Sequence, residues 1–181
     1  MLTLDELIKQ RYSVRSYDSR AVEKEKIEAI LQAARLAPSA CNAQPWRFIV
    51  IDQKELKEKF IEQCLGLTVP NTWAKSAPVI IVVASQLQLL THRVGEIIQG
   101  VNYHLIDIGI ALEHCALKAT ELGLGTCYIG WFKANKIKKL LDLPKNWNPE
   151  CLLTLGYSSD KPREAIRKPL EEIVLWNPKI K

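Results

Sequence analysis

Ile97-Ile-Gln-Gly-Val-Asn-Tyr-His-Leu-Ile-Asp-Ile-Gly-Ile-Ala-Leu-Glu-His-Cys-Ala-Leu-Lys-Ala-Thr-Glu-Leu122 runs directly into Gly123-Leu-Gly-Thr-Cys-Tyr-Ile-Gly-Trp-Phe132, and this stretch decides the fold. Ile98, Val101, Leu105, Ile108, Leu112, Cys115, Ala119 and Leu122 recur at three- and four-residue intervals, which gathers them on one face of an α-helix. Ile106, Ile110 and Leu117 fall nearly opposite and form a second apolar stripe. Only a wedge with Tyr103, Asp107, His114, Lys118 and Glu121 reads as wet. A helix over 97–122 would run roughly 39 Å at 1.5 Å per residue, enough to cross a small domain. Two apolar faces need two surfaces: the chain's own sheet, and either more core or a second subunit. Gly109, disfavoured in a helix interior, points to close approach of another backbone beside the second stripe.

Outward from this helix, the apolar run Val79 to Ala84 reads as a strand buried on both faces, so helices must cover the sheet on both sides. Arg47 to Ile51, Thr126 to Ile129 and Cys151 to Tyr157 supply the other strands. Gly123 and Gly125 bracket a tight helix exit. Thr3 with Glu6 forms a capping box for a short first helix carrying Leu4, Leu7 and Ile8 on one side. A second helix begins near Glu23 and ends before Pro38, a third covers Asp52 to Leu65, and another covers Ala134 to Leu141. The pattern predicts an α+β fold with a mostly antiparallel central sheet flanked by helices. Pro169 to Trp176 is a semi-apolar arm that follows the last core strand and is free to pack on a neighbour.

With 181 residues, 48% of them hydrophobic, the chain can bury one core. The net charge of +5 is mild and the basic residues are scattered, unlike the stripe of a nucleic-acid binder. Cys41, Cys64, Cys115, Cys127 and Cys151 are odd in number and lack any Cys-x-x-Cys, which argues for reduced thiols and against zinc. The acidic N-terminus does not resemble a signal peptide, and the longest apolar run, Ala77 to Ala84, is far below the roughly 18 residues of a membrane span. A cytoplasmic protein without membrane or nucleic-acid partners is expected.

Two stretches carry chemistry. Arg11, Ser13 and Arg15 alternate, so in an extended segment they project to one side, and two guanidinium forks with a hydroxyl suit a phosphate. Pro38-Ser-Ala-Cys-Asn-Ala-Gln-Pro-Trp46 is a polar loop stiffened by a proline near each end; it suits a planar ligand rich in carbonyls and ring nitrogens, or simply satisfies itself. No His-Glu-x-x-His, P-loop, Gly-x-Ser-x-Gly or Rossmann glycine pattern occurs, so no catalytic side chain and no metal ligand is expected.

Taken together, Arg11-Tyr-Ser-Val-Arg15, Pro38 to Trp46, Asn71, the long helix into Gly-Leu-Gly-Thr-Cys-Tyr-Ile-Gly130, and Arg167-Lys-Pro-Leu-Glu-Glu-Ile-Val174 resemble the FMN-dependent nitroreductase family, in its order and over nearly the whole chain. The resemblance implies one FMN-binding domain over 1–181, with a three-layer fold. It also implies a homodimer whose long helices form the interface, with an exchanged C-terminal arm. By the same resemblance Arg11, Ser13 and Arg167 match the phosphate positions, with Tyr12 beside them, and Arg15 the position near the flavin N1 and O2 edge. Pro38, Ser39 and Ala40, with Asn42 and Gln44, match the loop a partner subunit lays along the isoalloxazine. Asn71 matches a pyrimidine-edge contact, and Ile129 and Gly130 match backbone contacts on the N5 and O4 side.

The implied reaction takes hydride from NADH or NADPH through FMN to a nitroarene or quinone. Relatives of this architecture also reduce enones, remove halogens or cleave flavin. Many members carry a base two positions before the tail arginine; here Ala165 stands there, leaving Lys168 or Arg163 to compensate.

Overall fold

The computed structural model describes residues 2–65, 71–86, 100–162 and 165–178. In chain order the elements are α1 (Leu4–Gln10), α2 (Lys24–Arg35), β1 (Trp46–Ile51), α3 (Lys54–Phe60), β2 (Val79–Gln86), α4 (Tyr103–Glu121), β3 (Gly125–Ile129), α5 (Ala134–Leu140), β4 (Trp147–Gly156) and α6 (Leu170–Ile173). The four strands form one antiparallel sheet, in agreement with the expected mostly antiparallel sheet, and their order is β1-β2-β4-β3. Each strand begins or ends within a few residues of its expected limits, β4 being the longest extension, back to Trp147.

β2 is buried through Ser85, and its residues divide by parity. Val79, Ile81 and Val83 pack with Ile27, Ile30 and Ala34 of α2 and with Ile108, Ala111, Leu112, Cys115 and Ala119 of α4. Ile80 and Val82 face the other layer, against Phe60 and the turn that follows it, and against Ile137 of α5. The sheet is therefore the middle of three layers, as an all-apolar strand requires. At the end of α4, Leu124 N–H donates to Ala119 O (2.8 Å) and Gly123 N–H to Thr120 O (3.0 Å), with Gly123 at φ +74. This is the double hydrogen bond of a Schellman exit, which needs a residue tolerant of the left-handed region at position 123.

The central helix corrects four expectations. Its described part starts at Tyr103: Gly100 has φ +66 and Val101 and Asn102 precede the first helical turn, while 97–99 lie outside the described residues. Asp107, expected on the wet wedge, is only 3% exposed, whereas Leu105, expected in the buried seam, is 45% exposed. His114 is half-buried, its Nδ1 3.1 Å from Ala33 O. Spacing shows which residues share a face; which face meets the core is set by the neighbours, here α2 and the sheet. A Cβ at Gly109 would meet nothing within 4 Å in this chain.

Candidate functional site

α1 is closed by the Thr3–Glu6 capping box and ends where Arg11 turns extended, at φ −66 and ψ 124. The segment that follows is stitched to the sheet edge: Ser13 bridges Thr126 in parallel, and Val14 N–H donates to Thr126 O at 2.9 Å. Val14 is fully buried beside Gly125, where a Cβ would lie 2.4 Å from Val14 Cγ2. A second strap comes from the chain after β4, where Asp160 Oδ2 accepts from Arg15 N–H (2.9 Å) and Ser16 N–H (2.8 Å). Tyr12 OH lies 2.8 Å from Ser158 Oγ and donates to Asp160 O at 3.1 Å. Tyr17 completes the clamp, its hydroxyl donating to Val14 O at 3.0 Å and lying 2.7 Å from Thr154 Oγ1. Burial pushes the Tyr17 hydroxyl pKa upward, so this group stays neutral.

Arg11, Tyr12, Ser13 and Arg15 all line one cleft of about 1330 Å³, and Arg167 of the tail reaches the same cleft. Glu113 of α4 also lines it, with Oε1 3.8 Å from Arg11 Nε and Oε2 3.0 Å from Tyr128 OH. Burial first, and then the Glu113 carboxylate, raise the Tyr128 pKa, so this hydroxyl remains a donor. Lys168 is turned elsewhere, 3.9 Å from Glu172, and Arg163 lies outside the described residues.

A second group lies beyond Arg15, whose guanidinium is 6.0 Å from the centre of the Trp73 ring. Trp73 belongs to a short turn, Thr72–Ser76, preceded by Asn71, whose Nδ2 donates to Trp131 O at 3.1 Å. That bond brings Asn71 to the segment after β3, beside the buried Ile129 and the exposed Gly130. Pro38, Ser39, Ala40, Asn42 and Gln44 do not line the Arg11 cleft. Their loop folds into a turn, Ala40–Asn42, with Cys41, Asn42 and Gln44 at φ 51, 51 and 46. It is pinned by Gln44 N–H to Ser39 Oγ (3.0 Å) and by Ala40 N–H to Asp107 Oδ1 (3.0 Å).

The sequence alone gives no site role to Asp107, Glu113, Tyr128 or Asp160. Each acts across a long separation in sequence, and a carboxylate on a helix or after a strand carries no local signal for that.

Residues 8–157 match the model of the Nitroreductase family. An FMN reductase [NAD(P)H] of Bacillus subtilis is 32% identical over 173 residues, covering 89% of this chain and 68% of the relative. The crystal structure of a nitroreductase family protein from Clostridium difficile has a TM-score of 0.82 at 33% identity, covering 98% of this chain and 99% of the other. An FMN-dependent nitroreductase from the same organism gives 0.78 at 30% identity, over 95% and 98% of the two chains. An α+β protein with a polar cleft at the edge of its antiparallel sheet is thereby placed: the chain belongs to the nitroreductase family.

Proposed function

We propose that this chain is an NAD(P)H-dependent flavin oxidoreductase: a single FMN-binding domain over 1–181 that works as a cytoplasmic homodimer and reduces nitroaromatics or quinones. The observation that carries the reading is the gathering of Arg11, Ser13, Arg15 and Arg167 on one cleft. The names of the Bacillus subtilis FMN reductase and the Clostridium difficile FMN-dependent nitroreductase support the cofactor and the electron donor. Among the described residues no helix is long and apolar enough to cross a membrane.

The residues present fit FMN. Two guanidiniums and a hydroxyl, from Arg11, Arg167 and Ser13, are the donor set a phosphate monoester asks for, a third guanidinium, Arg15, is left for the flavin, and the Asp160 carboxylate is occupied by two backbone N–H groups. FMN, when bound, supplies the centre that accepts hydride from a nicotinamide and passes it to an electron-poor acceptor. Arg11, Ser13 and Arg167 would hold the phosphate, with Tyr12 bracing them, and Lys168 is the reserve cation of the tail. Arg15 would set positive charge at the N1 and O2 edge, where reduction adds negative charge, and so favours the reduced form. Asn71 would meet the pyrimidine edge, and the backbone of Ile129 and Gly130 the N5 and O4 side. Pro38, Ser39, Ala40, Asn42 and Gln44 would cover the ring of the partner's site.

The homodimer is supported by the apolar side chains left exposed on the surface: Leu4 and Ile8 of α1, Leu105 and Ile106 of α4, and Leu170 and Trp176 of the arm.

One open face serving donor and acceptor in turn implies ping-pong kinetics. The test is anaerobic mixing of the FMN-loaded protein with NADH or NADPH, followed by steady-state rates with a nitroarene and a quinone. Bleaching of the flavin absorbance and parallel double-reciprocal lines are expected. Failure of both nucleotides to bleach it would overturn the reading.

A further inference from the structure

Asp107 sits in the middle of α4 with its side chain buried, yet nothing in the reading of the cleft uses it. Its Oδ1 accepts the N–H of Ala40 at 3.0 Å across 67 residues of sequence. Ala40 opens the turn Ala40–Asn42, where the local cap is missing: Ser39 makes no capping bond, because its Oγ accepts from Gln44 N–H instead. A carboxylate from another element thus satisfies the free N–H at the first position of the turn. The turn needs holding. Cys41, Asn42 and Gln44 are three non-glycine residues in the left-handed region within four positions, a strained arrangement that persists only where the surroundings over-determine it.

The second oxygen sharpens the argument. Asp107 Oδ2 is buried and has no hydrogen-bond partner among the described residues. A buried carboxylate satisfied on one side only is an expensive way to fill a helix face that Ile108, Ala111 and Leu112 already bury with apolar groups. Packing does not explain it, whereas fixing the loop does.

We propose that Asp107 is the positioning residue of the Pro38–Gln44 loop: its carboxylate locks the strained turn in the shape that meets the flavin ring. The flavin half of this proposal rests on the reading given above; the lock itself does not. In the protein without added flavin, hydrogen exchange at the Ala40 amide reads the lock directly. Asp107→Ala should speed that exchange at least tenfold, while Asp107→Asn, which keeps an acceptor oxygen, should stay within about threefold of the parent. FMN titration at a temperature well below the melting point reads the consequence. Asp107→Ala should raise the FMN Kd at least tenfold and Asp107→Asn should restore it, while the melting temperature of Asp107→Ala stays near that of the parent or rises.

Should Asp107→Ala fail to fold, Asp107→Ser, too short to reach Ala40, replaces it with the same expectations. Unchanged exchange at Ala40 in the truncated variant overturns the proposal, as does faster exchange with an unaltered Kd or loss of the lock in Asp107→Asn. A parent protein that ignores FMN overturns the flavin reading, and the exchange data still judge the lock.

Discussion

Gly125→Ala is the perturbation that most directly couples fold to site. The added Cβ would lie 2.4 Å from Val14 Cγ2, 3.0 Å from Val14 Cβ and 3.3 Å from Val14 Cγ1. Val14 cannot yield easily, because it is fully buried and its N–H is bonded to Thr126 O. Overpacking of this kind costs typically about 1–3 kcal/mol. The reduced freedom of the unfolded chain returns about 0.4–1 kcal/mol where the backbone conformation suits alanine. The net expectation is a loss of about 1–2 kcal/mol, or a melting temperature lower by roughly 2–8 °C in a chain of this size.

Val14→Ala alone removes two methyl groups and should lose about 2 kcal/mol. In the double variant the new methyl enters the space the valine leaves, so the two losses should fall short of additivity by about 1–2 kcal/mol. Urea unfolding at one fixed protein concentration measures all three variants, since dimerisation would make stability concentration-dependent. FMN titration adds a second reading. Displacing Val14 moves Ser13 and Arg15 on either side, so Gly125→Ala should weaken FMN several-fold and the double variant should recover most of it. Strict additivity, or a Gly125→Ala protein as stable as the parent, would refute the steric argument.

Arg11→Ala should weaken FMN by about ten- to a hundredfold through loss of a charge-assisted bond, and an unchanged Kd would remove Arg11 from the phosphate site. Glu113→Gln should act the other way, tightening FMN a few-fold at low salt, because Glu113 competes for the Arg11 guanidinium in a partly exposed pair worth only about 0–1 kcal/mol. Arg167→Ala should weaken FMN as Arg11→Ala does, whereas Lys168→Ala, removing a side chain engaged with Glu172, should not; the reverse outcome would shift the register of the tail. Tyr17→Phe should destabilise the protein by about 1–3 kcal/mol in urea unfolding, since Val14 O loses its Tyr17 donor and Thr154 Oγ1 its hydroxyl partner in a fully buried place.

The sheet was legible because β2 is apolar at consecutive positions, which only a strand covered on both sides tolerates, and the parity of its contacts shows why. The lining of the cleft was legible where its residues are neighbours in sequence. Arg11, Ser13 and Arg15 alternate within five residues, and a period of two needs no knowledge of the rest of the chain.

What failed was orientation. Apolar residues lie nearly all round α4, so period alone could not say that Asp107 turns inward and Leu105 outward. The left-handed residues Cys41, Asn42 and Gln44 were hidden because none is glycine, and the group that holds their turn comes from a helix 67 residues on. Asp160 likewise straps a segment 145 residues before it. Sequence patterns report neighbours along an element, whereas these contacts exist only after the layers have docked.

The docking itself runs through one short span. Gly123 ends α4 in a left-handed turn and lets Leu124 fold back on Ala119, so the helix stops with its last carbonyls satisfied. Two residues later Gly125 leaves the space that Val14 fills, and Thr126 supplies the carbonyl that holds the Val14 N–H. Thr126 and Cys127 then carry the chain into its pairing with β4, opposite Leu155 and Thr154. The Cys127 carbonyl in turn accepts from Thr154 Oγ1, which meets the Tyr17 hydroxyl. Consecutive residues therefore terminate the central helix, start the edge strand and anchor the extended segment that presents Arg11, Ser13 and Arg15. A change that tilts α4 at its C-terminal end must move the cationic cleft with it, because the connection has no slack residue in which the motion could be lost.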